Sequence, residues 1–167
     1  MAVVSQPYAA EPTLGCAKWW KMTPGYKLKL AATQLNFEAV RSLVAEGAPI
    51  DYRHEQGRTA LFLCAELHVE GGTAYAPMCE LLCNLGADVN LADDTGTTPL
   101  MAACWLGLDA PAKVLIDAGA DVMHENHRGS ALDHATVKMG MTPGHAACQA
   151  LVNAARAKAA EKKAAGS

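Results

Sequence analysis

Helix-turn-helix pairs stacked into an all-α solenoid, with hairpin loops projecting from one side, are what this chain of 167 residues implies. Three observations carry that reading. A short string recurs: "EGAPID" ends at Asp51, "LGADVN" at Asn90 and "AGADVM" at Met123, and its glycines Gly47, Gly86 and Gly119 stand 39 and 33 residues apart. A period of that size marks an array of supersecondary units. A second glycine follows each of these ten residues later, at Gly57, Gly96 and Gly129. Finally, 51% of the residues are hydrophobic but only 5% are aromatic. A core filled mainly by Ala, Leu and Val suits helices packed closely on one another.

The elements follow in order. Residues 1–22 read as an extended N-terminal arm, and residues 23–156 hold the repeats, at about 24–56, 57–95, 96–128 and 129–156. Thr23 in "MTPGY" opens the first helix: a Thr oxygen caps a free N–H, and the following Pro needs no N–H there. "NFEAVRSLVAEGAPID" supplies the second helix, and its Gly stops the helix in a left-handed conformation. The second pair runs from "GRTALFLCA" to "MCELLCNLGADVN", and the third is "GTTPLMAACWLGLDAPAKVLIDAG". The fourth begins at "GSALDHA"; Thr142 in "MTPGH" opens its last helix, which continues through "ACQALVNAARAKAAEKKA". Residues 157–167 read as a basic, Ala-rich helix end or tail. No single pair can bury both its faces, so several must stack.

Quoted as they stand, "TPL" at Thr98 to Leu100, the small pair Ala102 and Ala103, Gly107 between helices, "VLI" at Val114 to Ile116 and the closing "GADV" resemble the ankyrin repeat. The resemblance covers roughly residues 24 to 156, about four repeats with the first and last acting as caps. Three departures stand out. The His that the family often places after "TPL" is replaced by Phe62, Met101 and Asp133, so its local hydrogen bond must be lost or replaced. The second repeat carries six extra residues within "HVEGGTAYAP". The fourth is one residue short after Gly129, which predicts a tighter or irregular hairpin. "LCNLGADVN" also resembles the consensus that asparaginyl hydroxylases modify, which makes Asn90 a candidate hydroxylation site; the plainer reading is a hairpin hydrogen bond.

Composition narrows the function. A net charge of −3 gives no basic stripe for nucleic acid. No apolar run reaches the ~18 residues of a membrane span. "MAVVSQPYAAEP" lacks the basic start of a secretory signal. The six cysteines form no CxxC pair and read as reduced core thiols. A cytoplasmic protein is expected; the cilium or cytoskeleton, the nucleus, or the periphery of an organellar complex are the alternatives. No enzyme, cofactor, metal or homo-oligomer is expected. "EGGT" at 70–73 lacks the Lys-Ser/Thr of a phosphate loop, and His124, His127 and His134 read as polar loop.

The resemblance instead implies a protein partner lying along the hairpin tips and inner helices. The inner-helix ends then supply Glu66, Leu67, Trp105, Leu106 and Val137, and the tips supply Arg58, Asp94, Thr95 and Arg128. A Trp in the middle of a concave face is the natural anchor. Trp19 and Trp20 in "CAKWWKM" suggest a division of labour: one covers the open end of the first repeat, and the other meets a partner. With Tyr75 in the insertion, these surfaces favour a structural or scaffolding subunit of a larger assembly. The alternative is a stand-alone regulator or inhibitor that uses the concave face alone.

Overall fold

The computed structural model describes residues 22–67, 75–136 and 142–165. Four helix pairs follow in order: α1 (Pro24–Thr33) with α2 (Phe37–Ala45), α3 (Ala60–Glu66) with α4 (Ala76–Asn84), α5 (Pro99–Leu106) with α6 (Asp109–Asp117), and α7 (Ala131–Thr136) with α8 (Pro143–Ala165). The first helix of each pair lies on the inner side. α1, α3, α5 and α7 pack in series, while α4, α6 and α8 form the outer layer behind them.

Local chemistry sets each start. The Thr23, Thr59 and Thr98 hydroxyls accept from the backbone N–H three residues on, at 3.4, 3.2 and 3.3 Å. α7 has no such Thr. There Ser130 donates both its N–H and its hydroxyl to Asp133 Oδ2, each at 2.7 Å. This is the acid-to-cap half of a capping box, and it is how the chain replaces the missing His at that position. The outer helices α2, α4 and α6 end alike: Ala48, Ala87 and Ala120 donate back to Leu43, Leu82 and Leu115 at 2.9, 3.0 and 2.9 Å across left-handed Gly47, Gly86 and Gly119.

Small residues set how closely the inner helices approach. Ala32, Ala65, Ala103 and Ala135 are fully enclosed, interleaved with Leu28, Leu61 and Leu100. Leu43, Met78, Leu82, Leu115 and Val152 fill the space toward the outer layer. Cys64, Cys79, Cys104 and Cys148 are buried in the same core, and burial pushes the Cys64 thiol up to about 12. Cys16 lies outside the described residues.

The loops are stitched from repeat to repeat. Asp51 Oδ1 accepts from the Asp88 N–H at 3.0 Å, and Asn90 Oδ1 accepts from the Asp121 N–H at 2.7 Å. Asp51 and Asn90 occupy the same place in successive repeats, four residues after the helix-ending glycine. Met123 holds that place in the third repeat, is 59% exposed, and ends the ladder. The last hairpin, one residue shorter than the others, closes as an antiparallel pair, β1 (Glu125–Asn126) with β2 (Gly129–Ser130).

The last repeat is locked on by a close seam. His145, 2% exposed, sits in the first turn of α8. Its Nε2–H donates to the Trp105 carbonyl at 3.1 Å, and its Nδ1 takes the Thr142 hydroxyl at 2.8 Å. Gly144 has no side chain because a Cβ there would meet the Gly107 carbonyl oxygen. Gly107 itself has φ 69°, and a Cβ on it would lie 2.6 Å from His145 Nδ1.

That contact yields a comparison. Gly119 also has positive φ but open space around it. Gly119→Ala should therefore cost only the left-handed backbone penalty, about 1 kcal/mol. Gly107→Ala should cost about 2–3 kcal/mol, because a clash is added. Urea denaturation of the two variants measures the difference; equal losses would contradict the seam.

Candidate docking groove

The inner helices and hairpins of the second to fourth repeats enclose an open groove of about 470 Å³. Its apolar floor is Phe62, Ala102, Trp105 and Leu106. Ala102 is the member of the small pair that lines the groove; Ala103 is fully enclosed in the core. Trp105 is half-buried, with its ring edge-on to His134 at 5.9 Å.

A continuous polar spine forms the wall. Arg58 donates from Nη1 to Glu66 Oε1 at 2.8 Å, and its Nε lies 3.7 Å from Asp93 Oδ2. Its guanidinium also stands 5.2 Å from the centre of the Phe62 ring. Asp93, only 7% exposed, accepts at Oδ1 from the Thr95 N–H at 2.8 Å, the Thr95 hydroxyl at 2.7 Å and the Thr97 N–H at 3.0 Å. The Thr95 proton is thereby committed, so in the 2.9 Å contact between the two threonines Thr97 is the donor. Asn126 Nδ2 donates to Thr97 Oγ1 at 3.0 Å. Asn126 Oδ1 accepts the Arg128 N–H at 2.9 Å, which fixes the amide's orientation. His134 Nε2, 3.2 Å from that same oxygen, must then carry a proton. From His134 through Asn126, Thr97 and Thr95, each link points its proton toward Asp93.

The titration directions follow from this arrangement. Burial pushes the Asp93 carboxyl up, but donors from Thr95 and Thr97 and the Arg58 charge outweigh it and hold the group below its ordinary range. Burial raises Glu66, with Asp93 adding and Arg58 opposing. Burial, then the Arg128 charge, lowers His134 against the pull of Asp133.

Of the residues expected to meet a partner, Arg58, Glu66, Thr95, Trp105, Leu106 and Arg128 come together on this groove. Asp94 instead turns to Arg53 at 3.2 Å on an exposed tip, and Leu67 ends α3 without lining the groove. Tyr75 lies off the groove and is engaged within the stack. Its hydroxyl donates to the Thr33 carbonyl at 2.9 Å, so it ties the second repeat to the first. Asn90 lies away from the groove, its amide oxygen engaged in the hairpin ladder. Trp19, Trp20 and Val137 lie outside the described residues. The reading of His134 is corrected: it is 3% exposed on α7, not solvated loop. His124 is held on the Gly96 carbonyl at 3.2 Å. Sequence reasoning missed Asp93 and His134. The available signal for Asp93 was that it and Asn126 begin their hairpins alike, each accepting from the N–H two residues on.

Stacked helix pairs with a concave groove and side-chain-locked hairpins define a repeat solenoid. Residues 28–126 match the family of ankyrin repeats, in three copies. The chain belongs to the ankyrin-repeat family, whose repeats are protein–protein interaction modules. It is similar to protein phosphatase 1 regulatory subunit 12A of Mus musculus, 34% identical over 53% of this chain and 8% of that protein. It is also similar to SH3 and multiple ankyrin repeat domains protein 2 of Homo sapiens, 33% identical over 64% of this chain and 6% of that protein. Ankyrin repeat domain-containing protein 63 of Homo sapiens is 30% identical over 65% of this chain and 27% of that protein. The chain thus corresponds to a small part of each. Among the described residues no helix is long and apolar enough to cross a membrane.

Asp93 gives a pH prediction. Its pKa falls on folding, so the folded chain holds fewer protons than the unfolded one near pH 4. The stability it contributes is full above about pH 5 and is lost as pH falls through about 4 and below. Asp93→Asn should cost about 2 kcal/mol at pH 7. The gap from wild type should shrink at pH 3.5, as read by urea denaturation at both pH values.

Proposed function

We propose that this ankyrin-repeat protein is a non-catalytic docking protein that binds a partner protein through the groove, as a scaffolding subunit of a larger cytoplasmic assembly. The observation that carries the reading is Trp105: a half-buried aromatic on an open groove, with its backbone carbonyl pinned by His145. An anchor already fixed in the free chain loses little entropy on binding. The same geometry argues against acid–base chemistry. Glu66 and Asp93 both face Arg58, and the Nε2 proton of His134 is committed to Asn126. The net charge of −3 argues against nucleic acid as the partner.

A second reading, a regulator that uses the concave face alone, is favoured by Tyr75, whose hydroxyl is engaged inside the stack. The two readings separate on native size and on the arm. In a gentle extract, a scaffolding subunit should migrate within a large particle on gel filtration. Trp105→Ala should release it from that particle, lowering affinity by about 30-fold or more, as for a hot-spot residue worth at least about 2 kcal/mol. Paired Trp19→Ala and Trp20→Ala changes should also release it. Migration near the mass of one chain plus one modest partner, with the arm changes silent, favours the regulator. Trp105→Ala without effect, with circular dichroism unchanged, would contradict both.

A further inference from the structure

The charges around the groove do not balance, and the residue left over specifies what the groove takes. Arg58 is matched by Glu66 at 2.8 Å and by the buried Asp93 at 3.7 Å. Arg53, on the neighbouring tip, is matched by Asp94 at 3.2 Å. Arg128 lines the same groove and is exposed, yet no described carboxylate lies within ion-pairing distance of it. The nearby His134 offers it no counter-charge, and the Arg128 charge adds to the burial that lowers that ring. Its starting point is fixed, because its backbone N–H is held by Asn126 at 2.9 Å. The groove therefore presents one uncompensated cation beside an apolar floor, and its own two acids are already satisfied.

Resting on the docking reading above, we infer that the groove takes an extended peptide segment of the partner with an Asp or Glu set against Arg128 and an aliphatic or aromatic side chain laid on Trp105 and Leu106. Arginine favours a carboxylate because its planar fork can give two parallel hydrogen bonds. Alternate residues of an extended segment point to opposite sides, so those one or three apart can divide between the Arg128 wall and the Trp105 floor. About 470 Å³ lies within the range of ligand sites and accommodates a few side chains of such a segment. A lone cation in a chain of net charge −3 does not suit a polyanion.

A displayed library of random linear octapeptides, panned against the full chain, tests this. The expected outcome is enrichment of Asp or Glu near an aliphatic or aromatic residue. Binding of those peptides should fall about tenfold or more in Arg128→Gln and be lost in Trp105→Ala. Arg128→Glu should instead enrich Lys or Arg at the acidic position. Arg128 is exposed on a hairpin, so circular dichroism of its variants should match wild type. Peptides that depend on Trp105 but show no acidic preference and ignore Arg128→Glu would overturn this inference and leave the docking reading standing. A panning that yields no Trp105-dependent peptide would overturn both.

Discussion

A buried carboxylate obliges the chain to surround it, and Asp93 is the one on which the concave face depends. Left unpaired, such a charge costs several kcal/mol. The chain answers with two backbone N–H groups and a hydroxyl from its own hairpin, and a guanidinium from the start of the same repeat. Because a carboxylate can only accept, each donor it recruits has a fixed direction. That direction passes through Thr97 and Asn126 to His134. One charge thus sets the conformation of two hairpins and the ring position of a residue on the last inner helix.

The outer geometry serves the same end. Small residues bring the inner helices close, the Asp51 and Asn90 ladder fixes the hairpins' register, and the Gly107–Gly144 seam lets α8 close behind α5. His145 then fixes the end of α5, where Trp105 stands. The proposed docking draws on that rigidity: a groove built in the free chain needs little rearrangement to accept a partner. Its remaining unmatched group, Arg128, sits where a partner's acid can complete the charge balance.

Much of this was legible in the sequence because it is written in local chemistry. Thr-Pro and Gly mark helix ends through contacts three to five residues apart, so the repeats and their phase could be read directly. Repeat arithmetic then placed Arg58, Glu66, Thr95, Trp105, Leu106 and Arg128 on one face. What escaped was set by distant partners. His145 bonds a carbonyl 40 residues away, and Tyr75 one 42 residues away, inside an insertion that looked like surface. His134 reads as polar loop until α7 is seen to carry it into the wall. Asp93 looks like another hairpin Asp until Arg58 is brought against it.

The central claim is that the spine from Asp93 to His134 is formed in the free chain and holds the groove open for its partner. Long-range proton–nitrogen correlation spectra of the unbound protein at pH 7 test it most directly. The account predicts that His134 is a single neutral ring protonated at Nε2, because Asn126 Oδ1 can only accept and burial lowers the ring's pKa. Nδ1 protonation, or averaged signals from a freely exchanging ring at His134, would mean that the spine is absent and the groove is not preformed.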